Sequence, residues 1–391
     1  IASCLVGSEM CIRDSITTMA SCFNGATAFN KNIRYWSVGA SATLTNMFNG
    51  ATAFHTAWWD QGYTGYETGS GTQETPLVSF FDPVQPSLSF ICSNLTAWTL
   101  PISTSSNNSW LNLTIDWGDG TIENYNSNSS SSAPNHTYSS ESDYTIKMYG
   151  TDPAENMKVK ILGTGGSWSS GNQKVISVTT TESTTWGFEN IESIHGLFYN
   201  CDNLTSVPTN IPSSVKDIST LFYSCGIINS SNISSWDTTN VTKMYQTFYV
   251  CPLFNQDVGS WNTSNVTNMG YLFHSCSSFN NGDSGNNGAN SFSWNTSNVN
   301  DMYSIFSGCS AFNQYLGSSW NTSKVTNIYG MFNGCAVFNH GDITNAGTKS
   351  FTWILSNVTS VDYMFNGCSV FNQDITTFVL SKALKLSYMF Q

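Results

Sequence analysis

Seven cysteines stand at one register of this chain, each three residues after a phenylalanine: Phe198/Cys201, Phe222/Cys225, Phe248/Cys251, Phe273/Cys276, Phe306/Cys309, Phe332/Cys335 and Phe365/Cys368. Thiols in such a row have two chemistries open to them, oxidative pairing and ligation of a soft metal. No CxxC pair and no Cys/His cluster supplies zinc-ligand spacing. Pairing is opposed by the expected geometry. Equivalent positions on neighbouring helical units should lie beyond the roughly 7 Å Cα separation that a disulfide tolerates. The row therefore reads as buried free thiols packing as small hydrophobes, a structural ladder rather than a reactive one.

Other residues recur with the same period. Asp257, Asp283, Asp342 and Asp374 form a partial acidic row, and oxygen-rich rows can hold calcium, above all beside Asn281-Gly282-Asp283-Ser284-Gly285-Asn286. No EF-hand or nonapeptide calcium pattern accompanies them, so a solvated face is the favoured reading. Trp236, Trp261, Trp294, Trp320 and Trp353 offer either a sugar-stacking row or an internal aromatic spine, and the spine is favoured. Asn255, Asn280, Asn313, Asn339 and Asn372 fit an internal ladder satisfying turn backbone groups better than a ligand surface. Sequons at Asn94, Asn112, Asn203, Asn240, Asn265 and Asn357 arise largely from the repeated turn and suggest glycosylation only secondarily.

For catalysis the chain offers nothing. It has no GxSxG, HExxH or phosphate loop, and no cofactor motif. The carboxylates follow the period, whereas an acid/base pair would be unique in it. Of the five histidines, His136 belongs to the strand-rich segment, His195, His274 and His340 sit at scattered repeat positions, and His55 stands alone near the linker.

The elements that must position these residues follow from the spacing. Successive ladder phenylalanines lie 24, 26, 25, 33, 26 and 33 residues apart, with Phe390 another 25 on. A period of this size marks stacked repeats. Within one unit Val241, Met244, Phe248 and Cys251 are spaced 3, 4 and 3, which predicts one face of a short helix capped by Thr239 or Asn240. Phe254 to Val258 suits a short strand. Two insertions, Asn281–Asn290 and His340–Lys349, account for the 33-residue steps. As protruding loops they are the first choice for a binding edge, with Asn281, Asp283, Asn286, Asn287, His340, Asp342 and Asn345 as its residues.

Upstream, Met19 to Ala26 is echoed by Thr45 to Ala51, the end of an earlier array over residues 16–60. A linker follows at 61–76. Residues 77–163 alternate apolar and polar side chains around the turn Asp116-Trp117-Gly118-Asp119-Gly120-Thr121, which Asp116 and Asp119 shape, and predict a β-sandwich of short strands. A connector at 164–184 leads to the main array, 185–391. Leu5 to Ser15 read LVGSEMCIRDS, the translation of a string resembling a sequencing adaptor. Residues 1–15 are therefore expected to be an artefact, and the chain to be a fragment.

Met331-Phe332-Asn333-Gly334-Cys335, Phe371-Asn372-Gln373-Asp374-Ile375 and Trp261-Asn262-Thr263-Ser264-Asn265-Val266 resemble the signatures of BspA-type leucine-rich-repeat surface proteins. The WGDGT turn with His136-Thr137-Tyr138 resembles a PKD-like immunoglobulin-fold domain. Together the resemblances imply an α/β solenoid of short helices and strands plus an all-β sandwich. They also imply a secreted or cell-surface adhesion protein without enzymatic activity, presenting a monomeric array to a protein or glycan ligand. The alternatives are an accessory region of an extracellular hydrolase and a surface-layer spacer. Net charge −12, from 13 basic and 25 acidic residues, opposes nucleic acid and anionic membrane as partners, and no apolar run is long enough to span a membrane.

Overall fold

The computed structural model describes residues 18–29, 41–54, 87–102, 112–125, 133–150, 157–163, 172–181, 186–188, 190–284, 292–317, 319–344, 346–347, 349–383 and 385–391. The chain forms two compact units, residues 1–85 and 86–391. In the first, two repeats are joined by a parallel bridge between Thr18 and Thr43. Phe23 stacks on Phe48 at 5.6 Å, and a single helical turn, α1 (Thr52–Phe54), follows.

Regular secondary structure in the second unit is nearly all sheet. Five strands, β1 (Ser87–Thr99), β2 (Leu113–Asp116), β3 (Ile122–Tyr125), β4 (Asn135–Tyr149) and β5 (Val175–Thr180), form one antiparallel sheet in the order β3-β2-β4-β1-β5. Alternation buries Leu88, Phe90 and Cys92 on β1. A bulge around Asn94, whose φ is +49°, then resets the inward positions to Leu95 and Trp98.

This corrects the sandwich expectation. No second sheet covers the apolar face among the described residues. The face instead shares one continuous core with Leu100, Ile102, Met157, Val159, Leu162 and the first repeats of the array. The outer edge of β5 is also occupied, because Ser177 pairs in parallel with Ser206 and Val178 N–H donates to the Ser206 carbonyl at 2.9 Å. The array thus begins where the sheet would otherwise leave an open edge.

The expected α/β solenoid of helices and strands is likewise overturned. The array contains no α-helix and no extended strand among its described residues. Parallel bridges, one per repeat, join Ser193, Asp217, Lys243, Asn268, Asp301, Asn327, Ser360 and Lys385 in succession. The segment read as a helix is a run of tight turns whose amides alternate in destination. Thr247 and Tyr249 N–H donate three residues back, to Met244 and Gln246. Gln246, Phe248 and Val250 N–H donate instead across to Gly270, Leu272 and His274 of the next repeat, at 3.0, 2.9 and 2.7 Å.

The backbone conformation shows why no helix forms. Two positions, two residues before and two after the ladder phenylalanine, carry positive φ in every repeat. The pairs are Gly196/Asn200, Thr220/Ser224, Gln246/Val250, Tyr271/Ser275, Ser304/Gly308, Gly330/Gly334 and Tyr363/Gly367. A left-handed residue at every fourth position is incompatible with a right-handed helix. It still leaves Val241, Met244, Phe248 and Cys251 on one buried face.

Candidate recognition face

The core side of each repeat consists of ladders. The phenylalanines from Phe198 to Phe390 stack ring on ring at 5.2–5.8 Å. Each cysteine from Cys225 to Cys368 donates its thiol hydrogen to the carbonyl of the preceding repeat's phenylalanine, at 2.8–3.2 Å. The nine described cysteines are free, as the sequence suggested. The geometric reason given for it fails, however. Parallel bridging sets neighbouring repeats at the interstrand spacing of about 4.8 Å, so separation does not keep the thiols apart. Burial pushes the thiols of Cys201, Cys225, Cys276, Cys309 and Cys335 well above their usual range, where the nucleophilic thiolate is scarce.

The tryptophans are buried, so the sugar-stacking row is not formed. Trp294 stacks on Trp320 at 5.9 Å, and Trp236, Trp261 and Trp294 donate their indole N–H to main-chain carbonyls one repeat back. The asparagines form a continuous ladder. Asn313 Oδ1 accepts from the N–H groups of Asn339 and Gly341 at 2.7 and 3.0 Å, and Asn255, Asn280 and Asn339 accept in the same way. At the sequons Asn240, Asn265 and Asn357 the side-chain amide already donates to the carbonyl of Ser213, Thr239 or Ser323.

Of the residues chosen for a protruding edge, the four that are described are not on one. Asn281, Asp283, His340 and Asp342 are buried, while Asn286, Asn287 and Asn345 fall outside the described residues. Asp342 accepts from Thr344, Gly347 and Gln373, and Asp283 accepts from Gln314. His340 stacks on Phe351 at 3.8 Å and bonds the Leu316 carbonyl. Asp257 and Asp374 close local turns onto Gly259 and Thr376. Among the described residues no three His, Cys, Asp or Glu side chains gather as a metal site. In the sheet, Asp116 and Asp119 do shape their turn. They accept from Gly118 and Thr121 N–H, and His136 bonds Asp119 at 2.8 Å.

What the sequence reading passed over is a stripe of tyrosines on the outer side of the turn segments. Tyr199, Tyr223, Tyr249 and His274, each one residue after a ladder phenylalanine, stack at 4.6, 4.6 and 4.7 Å with interplanar angles of 9°, 10° and 14°. A second column continues beside it through Tyr271, Tyr303, Tyr329, Tyr363 and Tyr388, at 4.7–5.5 Å. Tyr271 lies edge-on to Tyr249 and His274 and joins the two columns. These rings are half-buried, apart from the exposed Tyr388.

Burial first, and then neighbouring phenols, push the hydroxyls of Tyr223, Tyr249 and Tyr271 above their ordinary range, and the phenols of Tyr223 and Tyr271 hydrogen-bond those of Tyr199 and Tyr303. Carboxylates flank the stripe but are engaged. Asp217 lies 3.5 Å from Lys243 and 3.9 Å from His195 and accepts from Ser219 N–H. Burial opposes its ionisation, yet the His195 and Ser219 bonds outweigh that and hold its pKa at about 2. The signal for the stripe was present as tyrosine recurring beside Phe198, Phe222 and Phe248. Its drift between three positions relative to the phenylalanine conceals the second column.

Stacked turn-built repeats carrying a continuous aromatic face, joined to one antiparallel sheet, define a repeat-built scaffold. The chain belongs to the family described as "Mycoplasma protein of unknown function, DUF285", whose model matches residues 13–64, 170–287 and 283–391. No curated protein and no solved structure matches it. No helix among the described residues is long and apolar enough to cross a membrane.

Proposed function

We propose that this is a non-enzymatic adhesion or interaction protein, secreted or held at a cell surface, whose array is the scaffold for binding a protein or glycan. The observation that carries the reading is the two-column tyrosine face, because aromatic side chains with a polar tip are what recognition surfaces concentrate. The finer kinship belongs to the same proposal: a BspA-type array combined with a PKD-like WGDGT segment. Scarce charge and an acidic balance suit an extracellular role of this kind. The reading is tested by immobilising the purified chain against cell, protein and glycan panels. Binding that weakens when Tyr249 and Tyr303 are replaced supports it, and silence across all three panels sinks it.

A further inference from the structure

Resting on the adhesion reading, we infer that the tyrosine face takes a neutral, unbranched polysaccharide laid along the stacking axis. Three features of the face select this ligand. The first is its period. One ring per repeat, at 4.6–4.9 Å over Tyr199/Tyr223/Tyr249 and Tyr303/Tyr329, offers the same contact again and again. A polymer of identical units meets such a surface in register, and each added unit binds at the high local concentration set by the last.

The second is what the rings leave exposed. Stacking within 4–14° over Tyr199/Tyr223/Tyr249/His274 and Tyr303/Tyr329 turns those faces toward one another and leaves ring edges as the accessible surface, while Tyr271/Tyr303 and Tyr329/Tyr363 are tilted by 55° and 49°. No column hydroxyl bonds the main chain among the described residues. A phenol is protonated at neutral pH and has one donor and two acceptor sites, so Tyr249 and Tyr329, and Tyr223 and Tyr271 beyond their bonds to the phenols of Tyr199 and Tyr303, keep hydrogen-bonding capacity to offer. Sugar hydroxyls have the same dual capacity. Recognition here runs through hydrogen bonds, not through sugar rings lying on aromatic faces.

The third is charge. A net charge of −12 repels polyanions and a second copy of the chain. Near the face, Asp217 is already paired with Lys243 and His195 and so offers a basic peptide no free anion. Burial raises the pKa of Asp301, which weakens it as an anion site.

The test is affinity electrophoresis of the full chain in gels containing pullulan or hydroxyethylcellulose, both neutral with unbranched backbones, or anionic alginate. The comparison is a triple variant, Tyr249→Phe with Tyr303→Phe and Tyr329→Phe, which keeps the ring stack and removes three hydroxyls. At least one neutral polymer is expected to retard the wild type and alginate is not. The variant should bind about tenfold more weakly while still unfolding in one cooperative transition, and affinity for oligosaccharides should rise with their length. No retardation by either neutral polymer, or retardation that the triple variant retains, overturns the proposal. If the neutral polymers fail while a protein panel still binds through the same tyrosines, the polysaccharide inference falls and the adhesion reading stands.

Discussion

The thiol of Cys276 donates its hydrogen to the main-chain carbonyl of Phe248, one repeat earlier, at 2.8 Å. The bond uses a sulfur as the fastener between two turns of chain and spends a side chain that otherwise has redox chemistry available to it. Replacing Cys276 with alanine removes the donor and opens a small void. A loss of about 1–3 kcal/mol in urea unfolding is expected. Alkylation under native conditions should spare Cys276, Cys309 and Cys335, and denaturation should release them, as read by peptide mass.

The left-handed positions give a prediction with two signs. Gly334 has φ +77°, and an added Cβ would meet Gly308 Cα only at 3.7 Å, so Gly334→Ala is strained by backbone conformation and not by crowding. It should cost about 1 kcal/mol. Val250 holds φ +56° with a branched side chain in the equivalent place. Val250→Gly is expected to gain up to about 1 kcal/mol from relief of that strain. A matched pair of melting curves checks both, and equal signs would refute the account of why the helix fails.

Asn313 caps two otherwise orphaned amides, those of Asn339 and Gly341, from a site that is 3% exposed. Asn313→Ala leaves both without an acceptor and should cost about 3 kcal/mol. Hydrogen exchange would place the damage, with protection falling first at residues 339 and 341.

His340 supplies the pH dependence. Burial holds its pKa down at about 4, against an ordinary value of 6.5, despite the bond to Leu316. Its neutral ring favours the folded state fully above 6.5. That contribution is lost progressively as pH falls from 6.5 to about 4, since the unfolded chain takes up the proton first. His340→Phe, which keeps the stack on Phe351, should flatten the stability curve between pH 6.5 and 4. Asp217, held at about 2, adds a separate loss only below the ordinary carboxylate range, and Asp217→Asn removes it.

Much of the interior was legible because it recurs. Phe248, Cys251, Trp261 and Asn255 are each one copy of a position that every repeat fills alike, and a residue that must stack on its own copy cannot vary freely. The loop residues Asp283 and His340 were misjudged because polar, glycine-rich composition reads as an exposed insertion. Composition does not show that Gln314 and Leu316, about a repeat away in sequence, supply the buried partners. The tyrosine face was missed for a related reason: Tyr249 and Tyr271 occupy different repeat positions yet meet in space, 5.8 Å apart.

The sequence by itself determined the period, the buried ladders and the absence of a recognisable catalytic motif, because these depend on residue types at fixed spacing. Tertiary structure decided between helix and stacked turns. The 3–4–3 spacing of Val241, Met244, Phe248 and Cys251 suits both. What separates them is the acceptor of alternate amides such as Phe248 N–H, which a helix would find four residues back and this chain finds at Leu272 in the next repeat. It also decided between one sheet and two, since the apolar face of β1 and β4 met the array's first repeats as its cover. Both choices rest on partners about a repeat or more away along the chain, where local pattern carries no information.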